Sequence, residues 1–164
     1  MNSSKKISSI SIFIALTAVG ASFKIPAIVG SIALDMIPAL IAVSLFGIVP
    51  GALVAVLGHL LSALLGGMPL GFLHLLIGIE MAFLVALFGK FYQNGKRFYG
   101  AFFFLIGNTF LAPMPFIYLV SMEFYIGILP SLFIGSLINL IVALIVLPKL
   151  VFLKQDKSVK GLGT

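Results

Sequence analysis

Residues 58–80 read GHLLSALLGGMPLGFLHLLIGIE, and they decide how this chain folds. Two long apolar runs meet there at the sequence GGMPLG, whose glycines and proline are typical of a tight turn. Each run is long enough to form most of a membrane-spanning helix. The stretch also holds both histidines, His59 and His74, and the acidic residue Glu80. Because polar groups are costly inside hydrocarbon, we interpret this helical hairpin as the floor of a small-molecule site near one membrane face.

The composition places the whole chain in a membrane. Of its 164 residues, 62% are hydrophobic and 9% charged, and the mean hydropathy is +1.29. A soluble domain averages about 45–50% apolar and about 25% charged residues. Continuous apolar runs favour helices over the alternating strands of a porin-type barrel. The absence of cysteine excludes disulfides and thiol nucleophiles. We interpret the net charge of +6 as a signal for membrane topology, not for nucleic-acid binding.

The apolar runs predict an all-α membrane protein, a single domain over residues 1–164 with a bundle of six transmembrane helices. All but one of the ten basic residues fall on the side of the bundle that holds the two termini. The positive-inside rule therefore places both termini in the cytoplasm. The first apolar run shows no clear cleavage site, so it is interpreted as a span and not as a signal peptide. The predicted spans are residues 7–23, 36–48, 51–65, 71–89, 98–122 and 126–147, followed by a cytoplasmic tail at 148–164.

Several polar side chains are predicted inside the bundle. At about 100° per residue, His59 and Ser62 share one face of the third span. Glu80 lies near the middle of the fourth span, and Asn108 and Asn139 lie at similar depths in the fifth and sixth. A carboxylate at that depth needs a partner, a proton or water. Helix packing with polar pairing inside the bundle is one interpretation, and contact with a bound ligand is the other.

A metal site is a further interpretation of the same side chains. Its ligands would be His59, His74, Glu80 and Asp35. Neither an HExxH sequence nor two histidines four residues apart is present, so no zinc motif supports this interpretation.

The outer side of the bundle carries a loop and a proline-rich break. Lys24 and Asp35 flank the apolar loop AIVGSIAL at residues 27–34. We weigh a surface ion pair between the two side chains against a lid that the loop forms over the site. The Pro-Met-Pro sequence at 113–115 removes helix hydrogen bonds and predicts a bend in the fifth span, as occurs where a broken helix lines a cavity. Tyr118, just beyond, is either an interfacial anchor or a ligand contact.

The chain offers a docking surface but no energy source of its own. Ser11 and Ala15 stand four residues apart in a stripe of small residues on the first span. Such stripes permit close helix–helix contact, either within the bundle or with a partner membrane protein. The sequence NGKR at 94–97 lacks the phosphate-binding P-loop pattern. We therefore expect no cofactor in this chain, and energy must come from another subunit or an ion gradient.

Two stretches of the sequence resemble the substrate-binding S components of energy-coupling factor (ECF) vitamin transporters. They are ALTAVGASFKIP at 15–26 and GSIALDMIPALIAVSLFGIVPGALVAVLGHLLSALLGGMPLG at 30–71. The resemblance covers nearly the whole chain. It implies a vitamin pocket near the outer face, closed by the loop after the first span, and toppling of the S component to release substrate inside. It also implies a location in a prokaryotic plasma membrane and a complex with a transmembrane coupling subunit and two ATPases, which use ATP and Mg²⁺. In that family an Ala-x-x-x-Ala motif docks the coupling subunit; Ser11 and Ala15 occupy its positions here, and both remain small.

The stretches ALDMIPALIA at 33–42 and GHLLSALLGGMPLGFLHLLIGIEMA at 58–82 most resemble the branch assigned to α-ribazole, a benzimidazole nucleoside of cobalamin salvage. This resemblance implies that carboxylates and histidines bond the ribose hydroxyls or the ring nitrogen, while Phe72 and tyrosines stack on the ring. Hydroxymethylpyrimidine, thiamine, pantothenate and a queuosine precursor stay open as alternative ligands. The candidate substrate-binding residues are Asp35, His59, Ser62, Phe72, His74, Glu80, Asn108, Tyr118 and Asn139.

Three other classes of protein fit parts of the sequence. A membrane-embedded enzyme could use Glu80 with His59 or His74, but a nucleophile motif and a zinc motif are both missing. A small structural or holin-like protein would not need polar residues at mid-depth. A solitary secondary transporter usually has inverted repeats, which are not visible here. We therefore predict a transport subunit and not an enzyme.

Overall fold

The computed structural model describes the backbone of residues 3–26 and 31–160 and the side chains of residues 4–23 and 33–152. Within these residues the chain forms a bundle of helices with one short β-hairpin. The elements in chain order are α1 (Ser3–Ser22), β1 (Lys24–Pro26), β2 (Ser31–Ala33), α2 (Met36–Phe46), α3 (Ile48–Leu65), α4 (Leu73–Gln93), α5 (Arg97–Ile106), a π-helical turn (Gly107–Leu111), α6 (Phe116–Leu119) and α7 (Met122–Lys160).

The length and apolar character of the helices fit a membrane. Five helical segments of the described chain are long and apolar enough to cross a bilayer. Helix α2 is an additional, shorter apolar helix of 11 residues. The prediction of an all-helical membrane bundle is confirmed in this form. The count of six spans and the cytoplasmic location of both termini stay predictions.

Helix α2 forms the centre of the bundle. It packs against α1, α3, α4 and α7, and Ala39, Leu40 and Val43 are fully buried. A helix that is apolar on every side is buried either in a protein core or in lipid, and here protein covers α2. The Val43 side chain fills the space that a β-carbon would occupy at Gly51 of α3 and at Gly89 of α4. Two glycines therefore let the three helix backbones approach closely.

Helix α1 contacts α3 through one face only. Thr17 is fully buried, and a β-carbon at Gly58 would lie 2.6 Å from its side chain. The Thr17 hydroxyl donates a 2.6 Å hydrogen bond to the Ile14 carbonyl, so it is satisfied within its own helix. Ser11 and Ala15 lie on the exposed part of α1. The packing face and the stripe of small residues are thus different sides of the helix.

The beginning of α2 is held by a side chain from α7. Asp35 precedes α2 but its side chain makes no capping hydrogen bond. Instead, Asn139 Oδ1 accepts hydrogen bonds from the backbone amides of Met36 and Ile37, both at 3.1 Å. Asn139 Nδ2 donates to the carbonyls of Ala33 and Gly135, at 3.0 and 2.8 Å. The side-chain amide of Asn139 thus satisfies two N–H groups at the start of α2 that have no partner within the helix. It also joins β2, α2 and α7.

The structure contains a β-hairpin where the sequence predicts a loop. Strands β1 and β2 pair antiparallel, with Lys24 opposite Ala33. Strands of three residues are too short to show a periodic pattern, so the apolar sequence alone did not indicate them. Residues 27–30, which form much of the expected lid, and the Lys24 side chain, expected to pair with Asp35, lie outside the described residues.

The last two spans also differ from simple straight helices. The fifth is interrupted at the Pro-Met-Pro sequence, where residues 112–115 form a turn between the π-helical turn and α6. The sixth is one helix of 39 residues that continues through Pro130 and Pro148 to Lys160. An interior proline removes a helix hydrogen bond, but membrane-spanning helices tolerate it because neighbouring groups can satisfy the freed backbone carbonyl. The expected helix end at residue 147 is therefore not a break in the backbone.

Candidate functional site

Helices α3 and α4 bring the two histidines together. The turn between the helices contains Gly67, Met68 and Gly71 with positive φ angles of 82°, 50° and 54°, which reverses the chain within a few residues. His59 Nε2 consequently lies 3.2 Å from His74 Nδ1.

The hydrogen bonds around this pair assign its tautomers. The backbone amide of Leu70 donates to His74 Nε2 at 3.4 Å. His74 therefore carries its proton on Nδ1 and donates it to His59 Nε2, which leaves the His59 proton on Nδ1. The pair is a neutral link between α3 and α4 beside the turn.

Asp35 and Ser62 form a second polar contact, between the turn before α2 and helix α3. Burial raises the pKa of the Asp35 carboxyl above its ordinary value, and this effect outweighs the opposing effect of the Ser62 hydroxyl beside it. Ser62 is nearly one helical turn beyond His59 on α3. The two contacts thus join the segment after the hairpin to α3, and α3 to α4.

Glu80 and Asn108 line a cavity of about 60 Å³ between α4 and the last two spans. The Oε2 atom of Glu80 is buried and has no hydrogen-bond partner in the described chain. Asn108 Nδ2 donates a 2.6 Å hydrogen bond to Ser136 Oγ on α7. The other residues of the wall are mostly apolar: Leu70, Ile77, Met81, Ala112, Pro113, Phe116, Phe124, Ile128 and Leu132.

The broken fifth span shapes this cavity. Within the π-helical turn the Ala112 amide donates to the Gly107 carbonyl at 2.8 Å, a hydrogen bond one residue longer than in an α-helix. Pro113 then ends the helix, and Phe116 of α6 turns back into the bundle, where it is 3% exposed. Local widening of a helix is frequent at functional sites. Here it places Asn108 on the wall of the same cavity as Glu80.

The remaining candidate residues lie elsewhere. Phe72 and Tyr118 are 87% and 91% exposed and do not line the cavity. Asn139 uses both ends of its amide to hold backbone groups, which favours a structural role. Their predicted contacts with substrate stay predictions. Ser11 and Ala15 lie on the exposed side of α1, where a docking partner can reach them, and their role also stays a prediction.

Most residues of the site were not predicted as ligand contacts from the sequence, among them Ser136, Phe116 and Phe124. Ser136 orients the Asn108 amide, and the rings of Phe116 and Phe124 lie 6.1 Å apart in the wall. A signal for Ser136 was present, since it stands three residues before Asn139 on one face of an apolar helix. No such signal marked the two phenylalanines among 16 in the chain.

The metal interpretation gains no support from the geometry. In the part of the chain that the structure describes, no three His, Asp or Glu side chains lie close enough to hold a metal ion together. The contacts of His59, His74 and Asp35 are those of hydrogen-bonding residues.

Comparison with known proteins decides the family. A sequence model of the family described as "ECF transporter, substrate-specific component" matches residues 5–160. The chain belongs to this family. Its fold is also similar to a solved structure entitled "Structure and mechanism of the S component of a bacterial ECF transporter", with a TM-score of 0.72 and 25% sequence identity, over 93% of this chain and 99% of that chain. A search of curated proteins gave no significant match.

This membership confirms the resemblance at the level of the family. The S component described here is the substrate-specific part of a membrane transporter, which works with coupling and ATPase subunits. That role agrees with the prediction of a transport subunit and not an enzyme.

Proposed function

We propose that this S component captures a small vitamin precursor, with α-ribazole as the best candidate, and holds it in the cavity between α4 and the last two spans. The observation that carries the proposal is that Glu80 and Asn108 both line the wall of one apolar cavity. Polar groups at membrane depth are expensive, so their convergence on one cavity favours a ligand site.

The chemistry of α-ribazole suits these walls. Its bicyclic ring is apolar and planar, and its ribose carries several hydroxyl donors. Phe116 and Phe124 supply aromatic surface for the ring. The Glu80 carboxylate can accept a ribose hydroxyl hydrogen. The resemblance of residues 33–42 and 58–82 to the α-ribazole branch supports the same ligand.

The cavity must widen before it can hold such a molecule. Its volume of about 60 Å³ is far below the roughly 300–1,000 Å³ of ordinary ligand sites. We expect the movement in α6, which is only four residues long and lies between two turns. Displacement of Phe116 from the wall would enlarge the cavity.

Import would then depend on other subunits. The exposed Ser11 and Ala15 of α1 are the expected contacts of the transmembrane coupling subunit, because two small residues one helical turn apart permit close helix packing. Two ATPase subunits would use ATP and Mg²⁺ to drive release on the cytoplasmic side. The S component itself would supply the binding site and the docking face.

Equilibrium binding to the purified protein in detergent tests the proposal. The panel comprises α-ribazole, hydroxymethylpyrimidine, thiamine, pantothenate and a queuosine precursor. Tight binding of α-ribazole alone supports the proposed function. If another compound of the panel binds instead, the proposed ligand changes but the proposed role in vitamin capture stands. A folded sample that binds none of them contradicts the proposal.

A further inference from the structure

An open groove of about 400 Å³ lies on the outside of the bundle, along the first turns of α5. Its lining is entirely aromatic and consists of Phe98, Tyr99, Phe102 and Phe103. These side chains are 42–74% exposed. They form two adjacent pairs one helical turn apart, so they share one face of the helix. The opposite face holds Phe104, which is 1% exposed, and packs into the bundle.

Neighbouring rings fix the shape of this aromatic groove. Phe91 of α4 stacks on Phe103, with ring centroids 5.2 Å apart and planes 10° apart. It also stacks on Tyr99, at 6.4 Å and 28°. Phe102 meets Phe103 edge to face at 5.8 Å. Because aromatic pairs favour such arrangements, these contacts restrict the rings and keep the groove open.

Positive charge lies directly beside the groove. Lys96 and Arg97 immediately precede its first ring, and both are exposed. The Arg97 guanidinium carbon lies 5.3 Å from the centre of the Phe98 ring, a cation–π contact that holds this charge at the end of the groove. Residues 81–122 contain no aspartate or glutamate, and their only charged side chains are Lys90, Lys96 and Arg97. The charge beside the groove is therefore of one sign.

The depth of the groove follows from these charges. Lysine and arginine are costly in hydrocarbon, so Lys96 and Arg97 belong at the level of the lipid headgroups. An apolar segment, Arg97–Leu119, begins at the same point. From Arg97 to Phe103 an α-helix rises about 9 Å. The groove thus extends from the headgroups into the first part of the acyl chains.

We propose that this groove binds an anionic phospholipid, with its phosphate and acidic headgroup on Lys96 and Arg97 and an acyl chain along the four rings. A lipid fits this surface because the groove is apolar at acyl-chain depth and positively charged at headgroup depth. A zwitterionic lipid would bring its own cation towards the two basic side chains. The site is separate from the vitamin cavity, since the two share no lining residue.

Native mass spectrometry of the full-length protein tests the headgroup preference. It measures the affinity of the first bound lipid for phosphatidylglycerol and for phosphatidylcholine with identical acyl chains. Each basic side chain near an anionic lipid contributes about fivefold, so we expect a preference of about twenty-fivefold for phosphatidylglycerol. Lys96→Gln combined with Arg97→Gln should reduce it to about threefold or less. The matched control, Lys5→Gln with Lys6→Gln, removes two exposed charges from the start of α1 and should leave the preference unchanged.

The contribution of the rings is tested separately. Phe102→Ala should weaken binding of both lipids about threefold to fivefold, because several contacts with the acyl chain are lost, and should leave the headgroup preference unchanged. The control is Phe83→Ala on α4, which removes a ring that is 68% exposed outside the groove and should change neither affinity. A phosphatidylglycerol with a photoreactive acyl chain should crosslink to residues 98–103.

Four results would overturn the proposal. The first is equal affinity for the two lipids. The second is a loss of preference in the Lys5 and Lys6 control as large as in the Lys96 and Arg97 variant, which would indicate a general attraction to basic side chains. The third is an equal effect of Phe83→Ala and Phe102→Ala. The fourth is crosslinking of residues 98–103 to another subunit of the complete transporter in place of lipid. Vitamin capture would stand in each case, because it concerns a different cavity.

Discussion

Replacing Asn139 with alanine removes the side chain that holds the start of α2. The variant loses four hydrogen bonds: those from the Met36 and Ile37 amides and those to the Ala33 and Gly135 carbonyls. Loss of a helix cap costs about 0.5–2 kcal/mol. Each buried backbone group left without a partner costs about 1–3 kcal/mol more.

We expect Asn139→Ala to lower the free energy of unfolding by about 3–5 kcal/mol, since Met36 is 5% exposed and water has little access to its amide. For a chain of this length that corresponds to a fall in Tm of about 10 °C. Thermal unfolding of the purified protein in detergent measures the change, with ligand affinity determined below the transition.

The matched control is Asn94→Ala, because Asn94 makes a single exposed hydrogen bond, 2.9 Å from its Nδ2 to the Lys90 carbonyl. That variant should lose about 0.5 kcal/mol or less. If Asn139→Ala is no less stable than Asn94→Ala, the capping argument is refuted. If stability is kept but ligand affinity falls, Asn139 belongs to the binding site instead.

The other predictions concern Asp35 and the docking stripe. Burial raises the pKa of Asp35, so the stability that this group contributes is fully present below its ordinary value of 3.8 and is lost as pH rises through the folded-state pKa. Asp35→Asn, which keeps an acceptor for Ser62, should therefore raise Tm more at pH 8 than near pH 3.8; an equal shift at both would contradict the assignment. Ala15→Leu and Ser11→Leu should leave ligand binding unchanged and abolish uptake in cells that contain the coupling subunits, because the added bulk prevents close helix contact. Normal uptake by both variants would place the docking face elsewhere.

The helical bundle was predictable because its signal is local. Apolar runs and the turn at residues 66–71 indicate membrane helices without reference to the rest of the chain. The resemblance also identified the family, which the match over residues 5–160 confirms. The α-ribazole ligand and the site residues go further than that match and stay proposals.

Within the candidate site, the sequence predicted only those residues that were chosen for their depth in the membrane. Glu80 and Asn108 were placed at similar depths, and both line the cavity. Phe72 and Tyr118 were selected for residue type near the outer face, and they are exposed. The contacts of Asn139 join residues 102–106 positions apart, and helical periodicity carries no information about such pairs.

The length and position of α2 have a consequence for how the chain enters the membrane during synthesis. Eleven residues rise about 16 Å, roughly half the hydrocarbon thickness, so this segment is shorter than a helix that crosses the bilayer by itself. Helix α3 follows it after a single glycine, Gly47. The Met36 amide at the start of α2 can bond to Asn139 only after the 103 further residues up to Asn139 have been synthesised. The centre of the bundle is therefore completed only after the last helix has been made.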